Sequence, residues 1–286
     1  MTAFDIALPA RTSTVTSSDG TAIAYHTSGV GPGVVILPGA LSTGADYAAL
    51  AAALSQTFTV HVIERRGRGG SGPQGPAYSI DRECEDLDAV RAVTAAAFVF
   101  GHSYGGLVAL EAASRTRAWS RVAVYEPGVS INGSIPVAWI PAYRHHLATG
   151  RSLDAFITFI RALGPGIARV APHWWMKLIM GFVMSDEERT RRFSLLAENL
   201  TEHAEVGRLD NTYPRYAAIA AELCLMVGGK SGSTARLTGE RLAQVKPGAT
   251  IRILPGLDHF GPDQGDPRRV AAELKRFFTA DPVVFG

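Results

Sequence analysis

The stretch "VFGHSYGGLVAL", residues 99–110, decides how this chain is read. An apolar run ends at Gly101, a polar His102-Ser103-Tyr104 follows, and Gly105-Gly106 lead into an apolar segment with helical spacing. Such a serine has two readings. Either the glycines serve a tight turn and Ser103 only caps the helix, or the turn exists to present Ser103. Residues 101–105 fit G-x-S-x-G in the strand–turn–helix setting that the motif requires, which favours the second reading. A sharp turn of this kind strains the backbone of the central residue, and small residues two before and two after it relieve the clashes. The side chain then stands above the sheet, with the positive end of a helix behind it for a developing oxyanion.

Outward from this turn, short apolar runs alternate with longer amphipathic stretches. The spacing predicts strands over 21–29, 33–39, 58–64, 97–103, 121–127, 222–229 and 250–256, and helices over 44–56, 79–96, 104–117, 234–245 and 267–278. Strands that are apolar throughout and separated by helices imply a mostly parallel sheet covered on both faces. Ligands of such sheets bind beyond the carboxyl ends of the strands, which singles out Pro38-Gly39-Ala40, Glu64-Arg65-Arg66, Ser103, Glu126 and the loop after Gly228. From about 130 to 212 the alternation stops. Four helical stretches follow with no strand between them, with Ser152 and Ser185 as expected N-caps, and they read as a lid over the carboxyl edge. The expected division is therefore a core of 1–129 and 213–286 and a helical cap of 130–212.

Composition narrows the function. Of 286 residues, 47% are hydrophobic, enough for a substantial core, and 28 basic against 26 acidic residues leave a formal charge of +2. No basic block marks a nucleic-acid surface. Cys84 and Cys224 are too few for a disulfide framework or a cysteine metal site, and both sit in apolar periodic segments that suit buried thiols. The N-terminus has no basic region leading into a long apolar one, and no run approaches the roughly 18 apolar residues of a membrane span. The expectation is a cytoplasmic protein, monomer or homodimer, acting on a small molecule without nucleic-acid or membrane partners.

A serine nucleophile needs a base. Of eight histidines, only His259 lies in a loop just past the last strand. His145 and His146 fall in the helical insertion, and the side chain of His102 is expected to point away from Ser103. The oxyanion should meet the N–H of Tyr104 and one from "LPGALSTG" (37–44), where Gly39 lets the backbone approach and Ala40 offers the donor, with Leu41 the alternative.

Four motifs together, "LPGALSTG" (37–44), "ERRGRGGSG" (64–72), "GHSYGG" (101–106) and "GLDHFG" (256–261), resemble the α/β-hydrolase-fold superfamily, in its serine-nucleophile esterase- and lactonase-like branch with a helical cap. Pro38 stands where His is common and Glu64 where Asp is common, and neither change removes a catalytic group. The resemblance covers most of the chain. It implies a doubly wound sheet with an all-helical cap inserted after the sixth strand. It also implies that the arginine-rich loop is structural, though its arginines could bind an anion.

The usual family position for the acid is the loop after the strand that follows the cap. Here that loop, "VGGKSGSTARLTGE", has no carboxylate before Glu240. A second family position, the end of the strand before the cap, holds Glu126 in "VAVYEPG". Pro127 is expected to keep Glu126 extended, and a carboxylate buried there needs a partner such as the His259 imidazole, or an arginine such as Arg65 or Arg66. Asp210 in "RLDNTYP" is the alternative acid.

The expected chemistry is hydrolysis of a carboxylic ester or lactone through an acyl-enzyme on Ser103, needing neither metal nor organic cofactor. C–C bond hydrolysis and peracid formation use the same triad, and a non-hydrolytic tailoring or ligand-binding role is the rival from outside it. Leu41 and the cap residues Trp139, Trp174, Trp175 and Met180 are candidates for an apolar pocket, against the alternative that they pack the cap helices together.

Overall fold

The computed structural model describes residues 11–164 and 166–280. Its eight strands are β1 (Arg11–Thr16), β2 (Ala22–Ser28), β3 (Gly33–Leu37), β4 (Thr59–Ile63), β5 (Phe98–His102), β6 (Arg121–Tyr125), β7 (Glu222–Gly228) and β8 (Thr250–Leu254). They form one sheet in the order β1-β2-β4-β3-β5-β6-β7-β8. β1, β2 and β4 pair antiparallel, and all pairings from β4 to β8 are parallel.

The inner strands read correctly because both of their faces are buried. Val35, Val99, Val122 and Leu225 point to one side, where α2 (Ile80–Thr94), α3 (Tyr104–Arg115) and α10 (Ser233–Val245) add Leu87, Leu107 and Leu242. Val34, Ile36, Phe100 and Met226 point to the other, against Leu50 and Leu54 of α1 (Ala48–Leu54) and Leu274 and Phe278 of α11 (Pro267–Thr279). Alternate residues of each strand thus serve two separate apolar layers.

β1 is the strand that apolar runs did not find. It pairs with β2 over the whole of Arg11–Thr16, lies at the sheet edge, and contains no fully buried residue. Threonines and Val15 suit a half-wet edge strand but give no apolar run. With β1 counted, the helical insertion follows the sixth strand.

Between β6 and β7 the described residues form six α-helices where the spacing predicted four. They are α4 (Ile140–Ala148), α5 (Ser152–Leu163), α6 (Gly166–Val170), α7 (His173–Val183), α8 (Asp186–Phe193) and α9 (Leu196–Arg208). The short α6 falls between two of the four predicted stretches, and a break at Ser194–Leu195 divides the last of them, 185–203, between α8 and α9. Ser185 caps α8, accepting from the Glu188 N–H at 3.1 Å. Ser152 is the first residue of α5, and Arg151 occupies the cap position.

Among the described residues no helix is long and apolar enough to cross a membrane. Cys84 and Cys224 are free and buried, and burial pushes the Cys224 thiol up to about 12.

Candidate active site

Ser103 sits between β5 and α3 with φ 53° and ψ −121°, a backbone conformation that side chains rarely adopt. Neighbouring glycines make this possible. A Cβ on Gly101 would collide with the Gly105 carbonyl, and one on Gly105 with the Leu37 carbonyl. The turn is anchored by Ser103 N–H to the Tyr125 carbonyl at 3.0 Å and Gly128 N–H to the Ser103 carbonyl at 2.8 Å. Although Ser103 occupies the cap position of α3, its side chain makes no capping bond. Helix capping therefore does not explain the serine.

His259 lies in the loop after β8, and its Nδ1 is 2.9 Å from Glu126 Oε2. The other carboxylate oxygen accepts from the Gly228 N–H at 2.8 Å. Burial alone would raise the Glu126 carboxyl, but the hydrogen bond and charge of His259 outweigh it and hold the group below the usual carboxylate range. Glu126 is not extended. Its φ is 42°, so the restriction from Pro127 is overridden. Two bonds to its carboxylate and one from its N–H to the Met226 carbonyl hold this strained residue in place.

Asp210 is engaged elsewhere, accepting from Ser130 Oγ at 2.6 Å and Gly133 N–H at 3.0 Å at the base of the insertion. Arg65 and Arg66 do not reach Glu126; they pair with Glu83 and Glu202, and with Asp86 and Asp19. Ser103 Oγ and His259 Nε2 form no hydrogen bond here. Bonds of this type are often long in unliganded sites and tighten when substrate binds.

The loop after β3 is pinned at several polar atoms. Gly39 N–H donates to Tyr47 Oη at 2.9 Å, and Arg65 Nη2 donates to the Gly39 carbonyl at 3.1 Å. Arg68 Nε holds the Ser42 carbonyl at 2.9 Å, Arg192 Nη1 the Leu41 carbonyl at 3.3 Å, and Glu64 the Gly44 N–H at 3.0 Å. The Gly39 carbonyl and the Ala40 N–H share one planar trans peptide, so Arg65 also sets the direction in which the Ala40 N–H points. Among the described residues the Ala40 N–H has no acceptor, and Tyr104, first in α3, has no intrahelical one. Leu41, at φ 54°, turns its side chain into the apolar cluster of the helical insertion.

The arginine-rich loop is therefore committed to internal contacts. Arg65, Arg66 and Arg68 are all at most 2% exposed. Glu202 of α9 offers one oxygen to both Arg65 Nη2 at 2.9 Å and Arg68 Nη2 at 2.6 Å. Sequence reasoning marked this loop as structural but had no means of finding Glu202, which arrives from more than a hundred residues away. Tyr47 and Asp263 were also missed. Burial, aided by the charge of Asp46, pushes Asp263 up to about 6 close to His259.

The apolar candidates divide. Trp139 is buried among Tyr143, Phe159 and His203, with its indole N–H on the Pro136 carbonyl at 2.7 Å. Trp175 and Met180 pack partly against the small cluster around Ile157 and Met176. Trp174 is 68% exposed. None of the four contacts Ser103 in the hydrogen-bond or aromatic interactions of the site.

A family model described as "Alpha/beta hydrolase family" matches residues 34–273. The chain belongs to the α/β-hydrolase family. A solved α/β hydrolase from Sphaerobacter thermophilus is 34% identical, with 93% of this chain and 100% of that chain covered and a TM-score of 0.80. The enol-lactonase of Burkholderia xenovorans is 21% identical, covers 94% and 100%, and has a TM-score of 0.72. Naproxen esterase from Bacillus subtilis is 16% identical, covers 95% and 93%, and has a TM-score of 0.67. These last two establish likeness of fold.

Proposed function

We propose that this α/β-hydrolase-family protein is a serine hydrolase that cleaves a carboxylic ester or lactone of a small hydrophobic or aromatic substrate. The observation that carries the reading is the strained Ser103, free of any capping bond, next in sequence to His102, whose ring lies 4.9 Å from that of a His259 held by a buried carboxylate at 2.9 Å. Glu126 accepts the Nδ1–H of His259, which leaves Nε2 as the base, and stabilises the imidazolium that forms. His259 takes the Ser103 proton as Oγ attacks the carbonyl carbon. The N–H groups of Ala40 and Tyr104 receive the oxyanion. The alkoxide then leaves with the proton from His259, and water, activated by the same base, releases the acid from Ser103.

Residues 130–212 act as the cap that shapes the acyl and alcohol pockets. Fold neighbours named for lactone and ester cleavage are in keeping with this class of substrate.

The test is labelling with a fluorophosphonate, read by intact mass, alongside turnover of p-nitrophenyl esters of increasing acyl length. Wild type should take up one equivalent and Ser103→Ala none, with turnover in that variant lower by several orders of magnitude, about 10⁶ in the best-studied serine hydrolases. Folded wild type that resists the reagent would remove Ser103 as nucleophile and leave a ligand-binding role.

A further inference from the structure

His102, the residue before the serine, is tied in at both ring nitrogens. Its Nε2 lies 2.8 Å from the His259 carbonyl oxygen, and its Nδ1 lies 2.6 Å from Tyr47 Oη. Tyr47 Oη in turn meets the Gly39 N–H at 2.9 Å. The His102 ring also lies 4.9 Å from the His259 ring.

The direction of every proton in this chain is fixed by elimination. A carbonyl oxygen only accepts, so His102 Nε2 carries a hydrogen. Burial, reinforced by His259, holds His102 well below the usual imidazole range, so the ring is neutral. A neutral ring with its hydrogen on Nε2 has a lone pair on Nδ1, so Tyr47 O–H donates to it. The Tyr47 oxygen is then free to accept from the Gly39 N–H. Burial keeps the Tyr47 hydroxyl well above its ordinary value, so that hydrogen stays on. Tyr125 also flanks His102, with its ring edge-on at 5.8 Å and its hydroxyl donating to the Asp258 carbonyl at 2.6 Å, and the charges of Asp263, Asp46 and Arg65 act on Tyr47.

Two successive carbonyls of the His259 loop are thus held by residues at the ends of two adjacent strands, β5 and β6. The far end of the chain holds the peptide just before the one that carries the Ala40 N–H. We propose that Tyr47 and His102 are positioning residues, a directionally fixed hydrogen-bond relay that registers the oxyanion loop and the His259 loop on one another around Ser103. The proposal rests on the serine-hydrolase reading for its kinetic consequence, but not for its geometry.

The test has two arms. In wild type carrying ¹⁵N-histidine, nuclear magnetic resonance should find His102 as the neutral Nε2–H tautomer throughout the range in which free histidine titrates. A His102 that becomes charged there, or carries its hydrogen on Nδ1, overturns the relay without any variant having to fold. In the kinetic arm, His102→Phe and Tyr47→Phe should each lower kcat, by about 10²-fold if a reacting group moves by 1 Å, with KM little changed. The double variant should be no worse than the worse single one, because both cut one chain. His102→Gln should recover most of the loss, since an amide can donate to the His259 carbonyl and accept from Tyr47. Wild-type kcat in folded His102→Phe, or losses that simply add, would overturn the proposal. Failure of fluorophosphonate to label wild type would instead strike the hydrolase reading, and the tautomer measurement would still stand.

Discussion

Glu126 joins strain, burial and charge in one residue. It lies at φ 42°, is 8% exposed, and spends one carboxylate oxygen on the Gly228 N–H and the other on His259. Glu126→Gln keeps the shape but removes the charge that stabilises an imidazolium and permits the wrong imidazole tautomer. By analogy with acid-to-amide changes in serine proteases, kcat should fall by up to about 10⁴-fold while fluorophosphonate still reacts slowly with Ser103. Full ester turnover in this variant would remove Glu126 from the proposed acid role. The same residue has a stability signature. Its folded-state carboxyl is held below the ordinary value, so its contribution is fully present above the unfolded-state value and is lost as pH falls through the folded one. Denaturant titrations at descending pH should therefore show a steeper acid loss in wild type than in Glu126→Gln. Parallel profiles would mean that the pair adds nothing to stability.

At the scale of elements, the helical insertion and the loop after β3, the proposed oxyanion loop, are tied together. Glu202 of α9 binds Arg65 and Arg68, and those arginines hold the carbonyls of Gly39 and Ser42 on either side of Ala40-Leu41. Arg191 of α8 meets Asp46, and Arg192 meets the Leu41 carbonyl. Taking Glu202 away leaves two buried guanidiniums without this partner, so Glu202→Ala should destabilise the fold by about 3–5 kcal/mol. Glu202→Gln retains an acceptor and should fold. Its kcat should nevertheless fall, by as much as about 10²-fold for a 1 Å drift of the loop, with KM nearly constant. Thermal melting and steady-state kinetics on both variants check this. A Glu202→Gln protein with a lower melting point and wild-type kcat would reduce the cluster to a cap fastener with no hold on the oxyanion loop.

Across the whole molecule, what the sequence disclosed follows from sheet physics. A strand such as Gly33–Leu37 is buried on both faces and leaves an unbroken apolar run, whereas Arg11–Thr16 is an edge strand whose polar residues leave none. The positions of Ser103, Glu126 and His259 just past the ends of β5, β6 and β8 were legible because that is where ligands of parallel sheets bind. The relay through Tyr47 and His102 and the Arg65–Glu202 cluster were not, because a residue's local pattern carries no information about partners far along the chain. The two-layer design has a consequence for unfolding. Each inner strand feeds alternate residues to both apolar clusters, so neither layer can come apart without exposing half of every strand to water. Cys84 belongs to one cluster and Cys224 to the other, and both thiols are buried with raised pKa values that keep them unreactive in the folded protein. Iodoacetamide labelling across a denaturant series, read peptide by peptide, should modify both at one common midpoint, with no labelling of either in native buffer. Cys84 reacting well before Cys224, or the reverse, would show that one face of the sheet opens independently and that the layers are stabilised separately.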